Sequence, residues 1–244
     1  MKQYEAVIKV MEENGGFSTL GHLYQHVLKL PDCKWRTKTP YASIRRIVQD
    51  DRFFFKIKPG LWALKSHRED VLKKFSLDEK SSEKKKEEFS HSYYQGLLIE
   101  IGNLKGFETF VPNQDKNKKF LEKPLKEIST LNSIYPFTFP EILKKVKTID
   151  VIWFNNRKFP ARLFEVEHTT DFYNSLLKFN ELQDFLVNFY IVSSTIRKNL
   201  FNKKLDAEAF RIIRQRVRFL DYENLSKYHA QCFELFKTEK NIGF

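Results

Sequence analysis

A chain of 244 residues exceeds the usual size of one domain, and 41% hydrophobic with 15% aromatic content can fill two cores, which excludes a disordered polymer. A formal charge of +12 favours a polyanionic partner, nucleic acid first, with a merely solvated basic surface as the plainer reading. Two cysteines, Cys33 and Cys232, lie too far apart for a zinc motif or a disulfide framework, the opening MKQYEAVIKVMEENGG is no signal peptide, and no apolar run reaches the ~20 residues of a membrane span, so a cytoplasmic protein with reduced thiols and no membrane partner is expected.

In chain order, Tyr4, Ala6, Val7, Val10 and Met11 give one apolar helical face, stopped by Gly15-Gly16. Phe17-Ser18-Thr19 reads as a short extended piece with a helix cap, leading to a second helix through Leu20, Leu23, Tyr24, Val27 and Leu28 that ends at Pro31. Thr39-Pro40 opens a third helix, YASIRRIVQD, with Ile44, Ile47 and Val48 facing inward. The run RFFFKIKPGLWAL reads as strand, Pro-Gly turn and strand. Three helices and a hairpin outline a winged helix-turn-helix over residues 1–75.

The segment Tyr4 to Leu64 resembles the HARE-type helix-turn-helix family through YEAVIKVMEENGG, KTPYASIRRIV and DRFFFKIKPGLWAL. The resemblance implies a third helix near the major groove and a hairpin wing. Arg36, Lys38, Arg45 and Arg46 around the third helix, with Lys56 and Lys58 on the wing, are then the DNA-binding residues, or else a solvated basic face. Arg45 and Arg46 fall between Ile44 and Ile47 and are expected to point outward. Phe53, Phe54, Phe55 and Trp62 read as hairpin core rather than base-stacking platforms.

Residues 76–88, SLDEKSSEKKKEE, contain almost nothing to bury and read as a charged linker or frayed helix before a second domain at 89–244. That domain opens with a helix through Tyr94, Leu97, Leu98, Ile101 and Leu104, capped by Gly106 and followed by the strand FETFV. The stretch NQDKNKKFLE, Asn113 to Glu122, reads as a loop. KTIDVIWFNN and ARLFEVEHTT are strands, DFYNSLLKFNELQDFLV a helix capped by Thr169, Thr170 and Asp171, and NFYIVSS another strand. The tail holds IRKNLFNKK and FRIIRQRVRFL, read as basic and helical, with Arg211, Arg214 and Arg218 outward for phosphate contact or solubility. The expected class is α+β or α/β, a winged helix followed by a mixed-sheet α/β domain.

Three acids stand on those strands. Asp150 sits among Ile149, Val151, Ile152, Trp153 and Phe154, where an unpaired carboxylate is costly. Glu165 and Glu167 flank Val166, so the period of two turns both to one side. If the strands pair, three carboxylates converge and demand a cation, and all-oxygen ligands suit Mg²⁺, with Mn²⁺ as substitute.

This pattern resembles the PD-(D/E)xK nuclease superfamily, and LFEVEHTTDFYNSLLKF resembles its restriction-endonuclease branch. The resemblance makes Asp150 and Glu165 metal ligands, counts Val166 in the metal set, and adds Glu100 of QGLLIEIG as the helix acid. Glu167 occupies the lysine position and cannot supply positive charge, so it is left to orient or deprotonate the attacking water. His168 falls on the opposite strand face and reads as a supporting residue. Lys178 and Gln183 could reach phosphate or the site, or face solvent. The function implied is Mg²⁺-dependent, sequence-specific cleavage of double-stranded DNA by a type II restriction enzyme, working as a homodimer or by sequential nicking. A DNA-binding regulator with an inactive nuclease-like domain, and a repair nuclease, are the alternatives.

Overall fold

The computed structural model describes residues 1–168 and 171–242. Contacts divide the chain into two compact units: residues 1–86 with 226–244, and residues 87–225.

In the first unit, α1 (Gln3–Glu13), α2 (Leu20–His26) and α3 (Pro40–Ile47) bury Val7, Met11, Leu23, Tyr24 and Ile44. Thr19 caps α2 by accepting from the His22 amide at 3.2 Å. A three-stranded antiparallel sheet, ordered β1-β3-β2, is made from β1 (Phe17–Thr19), β2 (Phe54–Lys58) and β3 (Leu61–Leu64). Gly60, at φ 77°, supplies the left-handed residue of the turn between β2 and β3. Phe54 is buried, Phe53 stacks on Tyr4 at 5.3 Å, and Arg68 of α4 (Arg68–Lys74) covers Phe55 at 4.7 Å, so these rings serve packing.

The chain enters the second unit within α5 (Glu83–Leu104), which begins inside the stretch read as a linker. Then follow β4 (Glu108–Phe110), a small hairpin of β5 (Lys119–Phe120) and β6 (Lys123–Pro124), α6 (Leu125–Ile128), α7 (Pro140–Val146), β7 (Val151–Phe154), β8 (Pro160–Val166), α8 (Tyr173–Asn180), β9 (Asn188–Ser193), α9 (Lys198–Leu205) and β10 (Val217–Asp221). A five-stranded mixed sheet runs β10-β9-β8-β7-β4, with β10, β9 and β8 parallel and the remaining pairs antiparallel.

Alternation along the strands assigns the layers. Ile152, Phe154, Leu163, Phe189 and Ile191 join a core with Phe172, Leu176 and Phe179 around α8 and Phe201 and Leu205 of α9. Trp153 turns to the other face, meets the Phe164 ring at a tilt with centroids 4.7 Å apart, and donates its indole N–H to the Leu98 carbonyl of α5 at 3.1 Å. The sheet therefore lies between α5 on one side and α8 with α9 on the other.

Three expectations are corrected. The helix after β8 ends at Asn180 rather than continuing through Leu186 and Val187, because the chain must turn to start β9. The FRIIRQRVRFL segment is not helical throughout: Val217–Asp221 is a strand parallel to β9. Residues from Ser226 onward, on α10 (Tyr222–Ile242), group with the first unit rather than with the second domain. Thr169 and Thr170 of the expected helix cap lie outside the described residues, and Asp171 accepts from the Tyr173 amide at 3.1 Å. No helix among the described residues is long and apolar enough to cross a membrane.

Candidate active site and metal centre

The antiparallel register pairs Val151 with Phe164, and continuing it by one residue sets Asp150 across from Glu165. Both are buried. Asp150 Oδ2 accepts from the Val166 amide at 2.7 Å, which fixes the carboxylate at the end of the sheet. Val166 thus meets the site through its N–H.

Glu165 turns to the α8 side, as its parity with Leu163 requires. Lys178, on α8, places its Nζ 2.8 and 2.9 Å from the two Glu165 oxygens and 3.2 Å from the Thr148 carbonyl. Ser175, one helical turn earlier, donates to Glu165 Oε2 at 3.3 Å and also to Glu167 Oε1. One hydroxyl therefore joins the two glutamates, which share a strand side as alternation predicts. Burial, and after it the Asp150 charge, push the Glu165 carboxyl well above the usual carboxylate range, while Lys178 opposes them. Burial works against the Lys178 ammonium, but Glu165 outweighs it and holds the lysine charged.

A second group meets Asp150 from the α5 side. His91 Nε2 lies 3.5 Å from Asp150 Oδ1 and 3.7 Å from Asp115 Oδ2. Asp115, in the turn before β5, is 2% exposed and also pairs with Lys118 at 2.7 Å. Gln95, one turn beyond His91 on α5 and fully buried, donates to Asp115 Oδ2 at 2.8 Å and to the Asp150 carbonyl at 3.2 Å. Burial disfavours a charged imidazole, yet Asp150 and Asp115 together raise the His91 pKa to about 10. Burial would raise the Asp115 carboxyl, but bonds from His91, Lys118 and Gln95 hold it well below the usual range. Ligand atoms of His91, Asp115 and Asp150 all lie within 4.8 Å of one another, a group able to hold a metal ion.

The loop carrying Asp115 is held by a close approach. A Cβ on Gly96 would overlap the Phe120 ring, so only glycine lets that ring of β5 seat on α5. Beyond the end of β8, the Tyr222 hydroxyl meets His168 Nδ1 at 2.8 Å and the Glu167 carbonyl at 3.2 Å, and stacks on Tyr94 at 3.9 Å. The His168 ring lies 5.8 Å from that of His91, giving it a supporting position behind the cluster.

Of the residues expected in the site, Asp150, Glu165 and Glu167 come together. Glu100 stands on a different face of α5 from His91. It lies nine residues after His91, about 180° round the helix at roughly 100° per residue, and its charge acts on Tyr93. His91 and Gln95 are the α5 side chains that reach Asp150. In the first unit Arg36, Lys38, Arg46 and Lys56 are exposed, and Lys58 is half-buried with its pKa lowered by burial. Arg45 is partly exposed but engaged within the unit. Its guanidinium donates to the Tyr24 hydroxyl at 3.0 Å and pairs with Glu234 at 3.4 Å, a partner supplied by α10.

Residues 72–240 match the type II restriction enzyme NmeDI C-terminal domain. The chain belongs to this family. The type II restriction enzyme NmeDI of Neisseria meningitidis serogroup C is 22% identical over 163 residues, 63% of this chain and 46% of the relative, so the match spans less than half of that protein. No solved structure matches the chain. The NmeDI C-terminal match covers both groups around Asp150, whereas residues 1–71 lie before it.

Proposed function

We propose that this chain is a Mg²⁺-dependent endonuclease that hydrolyses double-stranded DNA at a specific sequence, as a type II restriction enzyme of the NmeDI family. The observation that carries the reading is the ammonium of Lys178 set on Glu165, opposite Asp150, in a chain of that family. A site with Asp150, Glu165 and a lysine has the parts that the acid-x-lysine pattern supplies, with the lysine delivered from α8 instead of from β8.

The donor set fits a hard cation. Asp150 and Glu165 offer carboxylate oxygens, and their mutual repulsion under burial is relieved by positive charge. When bound, Mg²⁺, with Mn²⁺ as substitute, supplies charge to the phosphate oxygens and acidifies water. Glu167 Oε1, oriented by Ser175, accepts the proton of the attacking water. Lys178 stabilises the negative charge that grows on the phosphate as the new P–O bond forms and the old one breaks. Ser175 holds the two glutamates in register for these roles.

In this reading the first unit, residues 1–86 with 226–244, holds the winged-helix module, and the second unit, residues 87–225, is the nuclease. Exposed Arg36, Lys38, Arg46 and Lys56, together with Lys58, face the DNA, and Arg45 braces the module from within. Cleaving both strands in one encounter takes two such sites, and a homodimer is the working form. The test is incubation of purified protein with unmodified plasmid DNA, with and without Mg²⁺, followed by mapping of the ends. Discrete ends that need Mg²⁺ support the reading, and DNA binding without cleavage in any divalent cation leaves a regulator instead.

A further inference from the structure

Asp150 has two sides, and the nuclease reading uses only the one shared with Glu165. On the other, His91 from α5, Asp115 from the turn before β5 and Asp150 itself bring an imidazole nitrogen and two carboxylates to within 4.8 Å of one another. Their burial is uneven, with both aspartates inside and His91 partly exposed.

The amide of Gln95 marks the same place. Its nitrogen joins Asp115 Oδ2 to the Asp150 carbonyl, while its oxygen, in a side chain with no exposure, accepts no hydrogen bond from the described residues. A buried acceptor without a donor is costly and calls for a missing partner. Two carboxylates and an imidazole beside it make the place suited to a cation.

We infer that His91, Asp115 and Asp150, with the Gln95 amide beside them, form a second site for a divalent transition metal of the Mn²⁺ or Zn²⁺ kind, with Asp150 shared between this site and the position at Glu165. The imidazole decides the class: Mg²⁺ prefers oxygen ligands and keeps its waters, whereas Mn²⁺ and Zn²⁺ accept nitrogen. Gly96 serves this site, since the seat it makes for Phe120 keeps the Asp115 turn against His91 and Gln95. The inference concerns binding and stands whether or not the chain cuts DNA.

The experiment is Mn²⁺ titration of the full-length protein without DNA, read by pulsed electron paramagnetic resonance, in which a coordinated imidazole gives nitrogen couplings. Wild-type protein should show the couplings, and Glu165→Gln should keep them. His91→Ala and Asp115→Asn should each lose them and weaken Mn²⁺ binding by more than the ~10–100-fold that loss of an outer-shell group costs. Couplings absent from saturated wild-type protein, or unchanged in His91→Ala, would overturn the inference. A saturated wild-type spectrum without the couplings decides against the inference even if a variant fails to fold. Failure of DNA cleavage would count against the nuclease reading alone.

Discussion

Lys178 Nζ lies within 2.9 Å of both carboxylate oxygens of Glu165. On the proposed nuclease reading, the lysine that the strand pattern lacks is supplied from a helix, eleven residues after Glu167.

Lys178→Met should therefore lower cleavage by ~10²–10³-fold, the loss typical of removing one transition-state charge donor. DNA binding measured in Ca²⁺ should stay close to wild type, and Lys178→Arg should recover part of the rate. Near wild-type cleavage by Lys178→Met would remove this lysine from the chemistry.

The same pair makes a stability prediction. Removing one partner strands the other, so Lys178→Met and Glu165→Gln should each destabilise the fold. The double variant, with neutral groups on both sides, should be less destabilised than the sum, by a coupling of ~0.5–3 kcal/mol. Urea unfolding of the four proteins measures it, and strict additivity would contradict the pairing.

Much of the second unit is legible in the sequence because its strands are short apolar runs bounded by turn residues. Alternation alone sets Glu165 and Glu167 on one side, as their shared Ser175 bond shows. The destination of Lys178 is not legible, since it depends on where α8 docks on the sheet. Asp115 sits in a lysine-rich stretch that looks fully solvated, yet it is buried against His91 and Gln95 of α5. His91 and Gln95 do carry a signal, their spacing of four on α5, but Glu100 drew attention as the acid of that helix. The β10 segment fits both periods, because Ile213, Val217 and Leu220 suit a helix while Val217 and Phe219 alternate, and pairing with β9 decides for a strand.

Gly96→Ala should act at a distance from the acids themselves. The added methyl meets the Phe120 ring, and such overpacking costs ~1–3 kcal/mol. Thermal unfolding should show the loss, and Mn²⁺ binding should weaken as the Asp115 turn shifts. An unchanged melting temperature would mean that the hairpin has room to yield.

Arg45 and Arg46 are adjacent in sequence but should separate by experiment. Arg45→Ala loses bonds to Tyr24 and Glu234 and should lower stability by ~1 kcal/mol, as both charged groups are partly exposed. Arg46→Ala should leave stability unchanged and weaken DNA binding, and a phosphate contact would reduce the dependence of log affinity on log salt by ~1. Equal effects of both on DNA binding would contradict the bracing role of Arg45.

The first unit also depends on the end of the chain. A Cβ on Gly21 would stand 2.5 Å from the Phe233 ring and 3.0 Å from His229, so α10 closes directly on α2. Protein ending at residue 225 should unfold its N-terminal part at lower temperature than the full chain, and limited proteolysis should cut first within residues 1–86. Identical protection in both proteins would show that α10 adds nothing to this unit.

In the proposed reading Asp150 and Glu165 form the metal-dependent centre of a DNA-cutting enzyme. The most direct measurement compares plasmid cleavage by wild type, Asp150→Ala and Glu165→Gln in Mg²⁺, alongside DNA binding in Ca²⁺. Wild type should give discrete cleavage and neither variant any, with binding retained by all three. Cleavage by Asp150→Ala at the wild-type rate would contradict that reading.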